Sequence, residues 1–375
     1  MLMSKNMYQQ IFRGIYYDTW NNSYRKVWIK SAIEDSNIIA MKVIREVMNE
    51  IQVMKKIERH ENISTFYGWC EYQSTLYIII QEPKYGDLRS YLLKRRLNPI
   101  TQSVPKMQKE NVNKDFNNAI INNENNDNEY TTFNTALMIR IAHDIASGME
   151  YVNELKIIHR NLCCRSIHLG EDQYNLTIVA KISDFSLACH SDITLTSDVI
   201  QTSLDIPTRW MALESLKYKE FSQKSDVWSF GILLWEIASY GTIPYSEIIN
   251  DDQMIMLLNK GYRLSQPENC NQEFYDTMEW CWNYDPRVRP TFNELKKSLK
   301  YLLRNQLQLR FTTQNDDFVK ENKFSIKPLL TFKQVKGKLP SNLQERQSYP
   351  NYVQKMHTDK FIEDDISESS EESFC

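Results

Sequence analysis

Apolar and polar residues alternate along the first part of the chain as they do in β-strands that are buried on one side. Two alternating runs, residues 11–20 and 23–30, flank the polar turn Asn21-Asn22-Ser23 and predict a hairpin. Residues 43–58 instead repeat apolar side chains at helical spacing, which predicts a helix. Later apolar runs predict two more strands, over 64–72 and 74–82. The start of the chain is therefore expected to be rich in strands, with one helix.

Helical patterns dominate after the turn at Tyr85-Gly86-Asp87. Residues 135–155 carry a strong amphipathic repeat and predict a long helix. Residues 225–240 are apolar on nearly every side, which is typical of a buried central helix. Ser225 is the predicted N-cap of that helix and Gly241 its predicted C-cap. The pattern predicts a small strand-rich lobe followed by a larger helical lobe.

Two segments have too few apolar residues to contribute to a core. Residues 97–133 are rich in asparagine, and residues 305–375 are polar and end in an acidic run. Such sequences bury too little apolar surface to offset the entropy lost on ordering, so we expect a disordered insert and a flexible tail. The predicted organisation is an N-terminal lobe over 1–83, a C-terminal lobe over 84–304 that contains the insert, and the tail.

Composition narrows the class of protein. The 375 residues are 42% hydrophobic and 25% charged, with a net charge of -3, values typical of a soluble globular chain without a surface for nucleic acids. Seven cysteines are scattered without metal-binding spacing, which favours reduced thiols in an intracellular compartment. No apolar run reaches the length of a membrane-spanning helix. The chain as given is expected to be cytoplasmic, or on the cytoplasmic side of the plasma membrane if it is a fragment of a receptor.

Several short motifs follow one another in a fixed order. Lys30 ends the run Val27-Trp28-Ile29-Lys30, Glu50 lies in the following helix, HRNLCCRS spans 159–166, and Asp184-Phe185-Ser186 comes next. Three more complete the set: IPTRWMALE at 206–214, DVWSFG at 226–231 and RVRPTF at 287–292. Together they resemble the signature motifs of the protein kinases. The resemblance implies an α+β fold of two lobes, with the active site between them.

Two features resemble one branch of that family. The segment Arg209-Trp210-Met211-Ala212, with Pro207 before it, and Arg165 in the catalytic loop are similar to the tyrosine-specific kinases rather than to the serine/threonine-specific ones. The insert at 97–133 resembles the split kinase domains of the fibroblast, platelet-derived and vascular growth factor receptors. The resemblance implies a receptor-type tyrosine kinase domain that acts in phosphotyrosine signalling.

The resemblance also implies the cofactors ATP and Mg²⁺. In the family a lysine holds the α and β phosphates and pairs with a helix glutamate, and these roles fall to Lys30 and Glu50. Lys42 lies too close to Glu50 to end a strand before that helix begins; the alternative for Lys30 is a solvated surface lysine. The other positions implied for the cofactors are the metal-binding Asp184 and the nucleotide-contacting Trp28, Ile80, Glu82 and Leu169.

Several positions around the expected site depart from the family pattern. Asn161 replaces the aspartate that accepts the substrate's proton, and a carboxamide cannot take that proton. Ser166 replaces an asparagine that helps to hold magnesium, and Ser186 replaces the glycine of the Asp-Phe-Gly triplet. The phosphate-binding loop is degenerate, or the sequence begins within it, because its glycine positions are occupied by Ser4, Asn6 and Gln9.

Trp28 is the largest of these departures. It stands where the family has the alanine that forms the roof over the adenine. An indole is a bulky aromatic group, and we expect it to occupy the volume of the adenine. The alternative is a one-residue shift of the strand, which would turn Trp28 outward.

The scaffold positions of the family remain. Glu214 and Arg289 match a buried ion pair that ties the activation segment to the helical lobe, and such pairs are costly to break. The segment from Asp184 to Glu214 has no tyrosine, so the usual phosphotyrosine switch is absent. Asp226 is expected to anchor the hydrophobic spine that links the lobes, formed by Met54, Phe66, His159 and Phe185.

Two functions are consistent with this contrast. The first is a catalytically impaired pseudokinase that acts as an allosteric partner or scaffold for an active kinase. The second is a weakly active ATP-dependent tyrosine kinase, because Lys30, Glu50 and Asp184 are kept and positioning supplies much of phosphoryl-transfer catalysis. In the tail, Tyr349-Pro350-Asn351 resembles a docking motif for phosphotyrosine-binding adaptors.

Overall fold

The computed structural model describes residues 2–5, 9–18, 22–32, 38–73, 75–97, 134–172, 177–191, 207–268 and 270–314. Contacts divide the chain into Met1–Phe318 and Val319–Cys375, and every described residue belongs to the first unit. The predicted insert beyond Leu97 and the tail beyond Gln314, with its Tyr349, lie outside the described residues.

The alternating runs at the start of the chain form one antiparallel sheet. Its strands follow the spatial order β1-β2-β3-β5-β4, with β1 at Leu2–Lys5, β2 at Gln9–Asp18, β3 at Ser23–Ala32, β4 at Phe66–Tyr72 and β5 at Thr75–Gln81. The predicted hairpin is confirmed, since β2 and β3 pair without interruption from Gln9 opposite Ala32 to Asp18 opposite Ser23.

The unbroken pairing of β3 settles the orientation of Trp28. Alternate residues of a strand point to the same face, so Trp28 and Lys30 share one side of the sheet. The strand shift that would have turned Trp28 outward is therefore wrong.

Helix α1, Ile38–Met54, packs on this sheet and carries Glu50. The predicted helix over 43–58 is right in kind but wrong at both ends. It begins earlier because apolar residues continue the helical pattern back to Ile38, and it ends earlier because Lys55 and Lys56 form a turn that leads toward β4. Its buried face consists of Val43, Val47, Ile51 and Met54.

The second lobe is helical. Its helices are α2 at Leu88–Leu97, α3 at Thr135–Glu154, α4 at Leu213–Tyr218, α5 at Gln223–Ala238, α6 at Asp251–Asn259, α7 at Gln272–Cys281 and α8 at Phe292–Gln314. Two small antiparallel pairs complete it: β6 at Ile157–Ile158 with β9 at Cys189–His190, and β7 at Ile167–Glu171 with β8 at Ile178–Ile182. None of the helices in the described part of the chain combines the length and the apolar character that a membrane span needs.

Helix α5 is the buried centre of this lobe, as its all-round apolar pattern predicted. Its caps differ from the predicted ones. Ser222 is the N-cap, and Ser225 completes the capping box by accepting the backbone N–H of Ser222 at 3.0 Å. At the other end Tyr240 adopts a left-handed φ of 56°, and the backbone N–H of Gly241 donates to the carbonyl of Glu236 at 2.8 Å.

The boundary between the helical lobe and the tail also needs correction. Helix α8 continues to Gln314, whereas we predicted that the tail begins at residue 305. The sequence between Arg304 and Gln314 contains no proline or glycine, so nothing in it ends the helix. The architecture as a whole is the predicted α+β arrangement of a strand-rich lobe and a helical lobe.

Candidate functional site

The centre of the site is a buried lysine between two carboxylates. The Nζ atom of Lys30 lies 2.7 Å from Glu50 Oε2 and 3.0 Å from Asp184 Oδ1. Burial opposes its positive charge, but Asp184 and Glu50 outweigh burial and raise the pKa of Lys30 above its ordinary value. Lys42, the other candidate, lies in helix α1 and not at a strand end. Lys30 is therefore not the solvated surface lysine of the alternative interpretation.

Asp184 accepts hydrogen bonds from three side chains. Besides Lys30, Ser186 Oγ donates to its Oδ1 at 2.9 Å, and the amide nitrogen of Asn161 donates to its Oδ2 at 2.8 Å. Burial opposes its negative charge, yet Lys30 and the hydrogen bond from Ser186 hold the pKa of Asp184 at about 2. Its backbone has a left-handed φ of 61°, which places the carboxylate between Lys30 and Asn161.

Ser166 faces away from this carboxylate. Its hydroxyl donates to the carbonyl of Cys163 at 2.8 Å and accepts the backbone N–H of the same residue at 3.1 Å. The side chain is fully buried, and both of these hydrogen bonds lie within its own turn. Arg165, beside it, is exposed.

Asp226, a residue of helix α5, is hydrogen-bonded to the backbone of the catalytic loop. The carboxylate of Asp226 accepts the backbone N–H of His159 at 2.7 Å and that of Arg160 at 2.9 Å. Burial raises the pKa of Asp226 to about 7, against the influence of those backbone donors. The rings of His159 and Phe185 lie 4.8 Å apart, and both are buried. These contacts place the predicted spine residues of the helical lobe together.

The guanidinium of Arg160 packs against a backbone carbonyl and an aromatic ring. Its guanidinium donates to the carbonyl of Leu187 at 3.1 Å and lies 4.1 Å from the centroid of the Phe221 ring. Burial lowers the pKa of Arg160. In the family, activation-segment phosphates pair with arginines; in this chain Arg160 packs against a ring and a carbonyl group.

Two aromatic rings from opposite lobes meet at the position expected for the adenine. The indole of Trp28, on β3, contacts the imidazole of His168, on β7, edge to face with 5.2 Å between centroids. That spacing is direct contact for an aromatic pair, so no third ring fits between them. The indole N–H is buried and has no hydrogen-bond partner in the described structure. His168 Nδ1 is hydrogen-bonded to Ser64 Oγ at 3.1 Å.

The other implied nucleotide contacts are arranged around this pair. Ile80 is buried and lies opposite Trp28 in the sheet. Glu82 forms an ion pair with Arg13, whose backbone lies opposite Trp28 on the other side. Leu169 is completely buried, whereas its neighbour His168 contacts Trp28.

His168 is the residue that the sequence interpretation missed. It is the second residue of β7 and the neighbour of Leu169, and adjacent residues of a strand face opposite sides. The sequence interpretation was thus displaced by one position. Asn49, next to Glu50, was also missed. Its amide donates to two carbonyls of the segment after Asp184, and neither contact has a local sequence pattern.

The comparisons with known proteins agree with this architecture. The sequence model of the family described as protein tyrosine and serine/threonine kinase matches residues 3–299, and the chain belongs to that family. Its relatives include receptor tyrosine kinases. It is 33% identical to fibroblast growth factor receptor homolog 1 of Drosophila melanogaster over 279 residues, 72% of this chain and 35% of that protein.

Two vertebrate receptors are similar to this chain to about the same degree. The chain is 32% identical to the angiopoietin-1 receptor of Danio rerio, over 73% of this chain and 22% of that protein. It is 33% identical to fibroblast growth factor receptor 1 of Xenopus laevis, over 75% of this chain and 31% of that protein. The matched region thus spans between 22% and 35% of the length of these three relatives.

Kinases of this family bind ATP and Mg²⁺, and in this chain side chains contact one another at the positions expected for both groups. Trp28 and His168 touch where an adenine would lie. Both oxygens of Asp184 accept hydrogen bonds from side chains, and the hydroxyl of Ser166 is hydrogen-bonded to Cys163. Across the described residues, no group of three or more His, Cys, Asp or Glu side chains is placed to hold a metal.

The buried histidine gives the site a testable dependence on pH. Burial lowers the pKa of His168 to about 4, against opposing contributions from Asp87 and Asp184, whereas an unfolded histidine titrates near about 6.5. The unfolded chain therefore binds the proton more readily between these values. The stability contributed by neutral His168 is lost as the pH falls through that window, by about 1.4 kcal/mol per pH unit.

Urea unfolding of the wild type and of His168→Leu at about pH 7 and about pH 4.5 measures this effect. We expect the wild type to lose about 2–3 kcal/mol more than the variant over this range. Buried groups common to both proteins, such as Asp226 and His159, cancel in the difference. An equal loss in the two proteins would contradict the assignment.

Proposed function

We propose that this chain is a tyrosine-kinase-like domain that has kept the kinase fold for binding other proteins and has little or no phosphoryl-transfer activity. The observation that carries the proposal is the contact between Trp28 and His168, 5.2 Å between ring centroids, at the position of the adenine. The amide at Asn161 adds to it, because a carboxamide that donates to Asp184 is not basic enough to take a proton from a substrate hydroxyl.

The proposed role is that of an allosteric partner or scaffold for an active kinase. The Lys30–Glu50 pair at 2.7 Å and the packed His159 and Phe185 rings keep α1 against the sheet and the segment at Asp184. A preordered surface binds a partner with less loss of conformational entropy than a flexible one. Because its relatives are named as receptors, we place this partnership in phosphotyrosine signalling on the cytoplasmic side of the plasma membrane.

A second function is favoured by one specific observation. Lys30, Glu50 and Asp184 form a complete ion-paired cluster, and these are the groups that position phosphates and metal in active kinases. A weakly active ATP-dependent tyrosine kinase therefore remains the alternative.

Phosphoryl transfer to a tyrosine-containing peptide separates the two functions. The full chain is incubated with γ-labelled ATP and Mg²⁺ beside its Lys30→Met variant, and beside Lys26→Met, which makes the same change at an exposed position of the same strand. We expect equal background labelling in all three proteins. Labelling that is lost in Lys30→Met but kept in Lys26→Met would overturn the proposal in favour of the weak kinase.

The tail supports a second kind of partner. Tyr349 lies in the sequence Tyr349-Pro350-Asn351, and we propose that its phosphorylated form binds phosphotyrosine-reading adaptor domains. Binding of a synthetic phosphopeptide of this segment to such domains, with the unphosphorylated peptide as control, tests the proposal.

A further inference from the structure

Three side chains donate hydrogen bonds to the carboxylate of Asp184. Lys30 and Ser186 donate to Oδ1 at 3.0 and 2.9 Å, and Asn161 donates to Oδ2 at 2.8 Å. Both carboxylate oxygens thus have a donor from the protein itself. Two of the three donors, Asn161 and Ser186, are the residues that depart from the family pattern.

The chemistry of the two replacements is consistent. A carboxylate at position 161 would face Asp184 with a like charge, which is costly unless a cation lies between them. An amide nitrogen in its place donates a charge-assisted hydrogen bond, and its orientation is fixed because the amide oxygen would be repelled by the carboxylate. A glycine at position 186 would provide no donor, whereas the hydroxyl of Ser186 does.

Helix α1 is joined to the same segment by the residue before Glu50. The amide of Asn49 donates to the carbonyl of Ser186 at 2.9 Å and to that of Ala188 at 2.8 Å. Glu50 meanwhile holds Lys30 at 2.7 Å. The helix, the strand lysine and the segment from Asp184 to Ala188 therefore form one hydrogen-bonded unit, which we call the Asp184 clamp.

We propose that Asn161 and Ser186 take the place of a divalent cation at Asp184, so that the Asp184 clamp closes without metal or nucleotide. This inference rests on the proposed function, because an active kinase needs the oxygens of Asp184 for its metal. Its consequence is that α1 stays joined to the segment from Asp184 to Ala188 whether or not metal or nucleotide is present.

Hydrogen exchange of the full chain, read by mass spectrometry over α1 and residues 184–191, tests the Asp184 clamp. In the wild type we expect the same protection in excess Mg²⁺ and in EDTA. In Asn161→Asp we expect exchange to be faster by about tenfold or more in EDTA and to slow again in Mg²⁺. Asn161→Ala should exchange faster in both conditions, because it loses the donor without gaining a cation ligand.

A matched control makes the same chemical change elsewhere. Asn250→Asp alters the N-cap of α6, a position where asparagine and aspartate are interchangeable, and it should show no dependence on Mg²⁺. Wild-type protection that requires Mg²⁺, or equal protection of Asn161→Asp in EDTA and Mg²⁺, would overturn the inference. If Asn161→Asp proves too unstable to purify, Ser186→Gly removes the other donor without adding a cation ligand. It should exchange faster than the wild type in both conditions, and unchanged protection would overturn the inference.

The outcome is separable from that of the proposed function. Metal-independent protection together with phosphoryl transfer that depends on Lys30 would overturn the proposed function and leave the Asp184 clamp in place. Metal-dependent protection without transfer would overturn the Asp184 clamp and leave the proposed function in place.

Discussion

Replacing Trp28 with alanine is expected to create a binding site for adenosine. The substitution removes the ring that contacts His168 at 5.2 Å and leaves a cavity between the lobes at the adenine position. Truncating a partly buried tryptophan costs stability, but part of that cost is offset here because the indole N–H is buried without a hydrogen-bond partner. The variant should therefore fold with a vacant slot for a flat aromatic ligand.

Thermal unfolding in the presence of adenosine measures this gain. A ligand at about a hundred times its dissociation constant stabilises the native state by about 2.7 kcal/mol, which corresponds to a rise of several degrees in the unfolding midpoint. Adenosine is preferred to ATP because it requires no metal. The matched control is Trp69→Ala, which removes a ring that is 42% exposed on β4. A shift in the wild type, or none in Trp28→Ala, would contradict the interpretation of the site.

Replacing Glu214 with alanine is expected to destabilise the chain by about 3–5 kcal/mol. The guanidinium of Arg289 is completely buried. It forms a bidentate salt bridge with Glu214, at 2.6 Å to Oε1 and 2.9 Å to Oε2. Without Glu214 the positive charge stays buried and keeps only its bonds to backbone carbonyls, such as those of Asn283 and Lys224. The cost arises mainly from this uncompensated charge.

Urea denaturation followed by circular dichroism gives the change in the free energy of unfolding. Glu214→Gln keeps one acceptor for Arg289 and should lie between the wild type and Glu214→Ala. Arg287→Ala removes an arginine that is 89% exposed and paired with Asp285, so it should change stability little. A loss in Glu214→Ala no larger than that of Arg287→Ala would show that the buried pair is not needed for the fold.

The elements with strong periodicity could be predicted from sequence, and their ends could not. The hairpin around Asn22 and helix α3 at Thr135–Glu154 lie close to where the pattern placed them. The N-cap of α5 was misplaced from Ser222 to Ser225, because both serines belong to one capping box and the sequence alone does not distinguish the partners. The end of α8 was missed because its last residues mix apolar and polar side chains without a stop signal, and the helix continues to Gln314.

In the site, too, some contacts could be predicted from the sequence and others could not. The separation of Lys30 from Glu50 was enough to pair them, since strand, loop and helix each need a minimum length. The contacts of Asn161 and Ser186 with Asp184 could not be predicted. A sequence shows that a residue is replaced, but it does not show the hydrogen-bond partner of the new side chain. His168, which contacts Trp28, could be identified only with the register of β7. The sequence left that register uncertain by one position.

The contact between Trp28 and His168 also has a pharmacological consequence. Inhibitors that compete with ATP insert a flat heterocycle between apolar walls, and in this chain an indole already fills that slot. Compounds developed against active receptor kinases would then spare this chain even where the rest of the cleft is similar. Conversely, the Trp28→Ala variant would have an opening at this position. A compound that fits the opening could bind the variant and not the native chain.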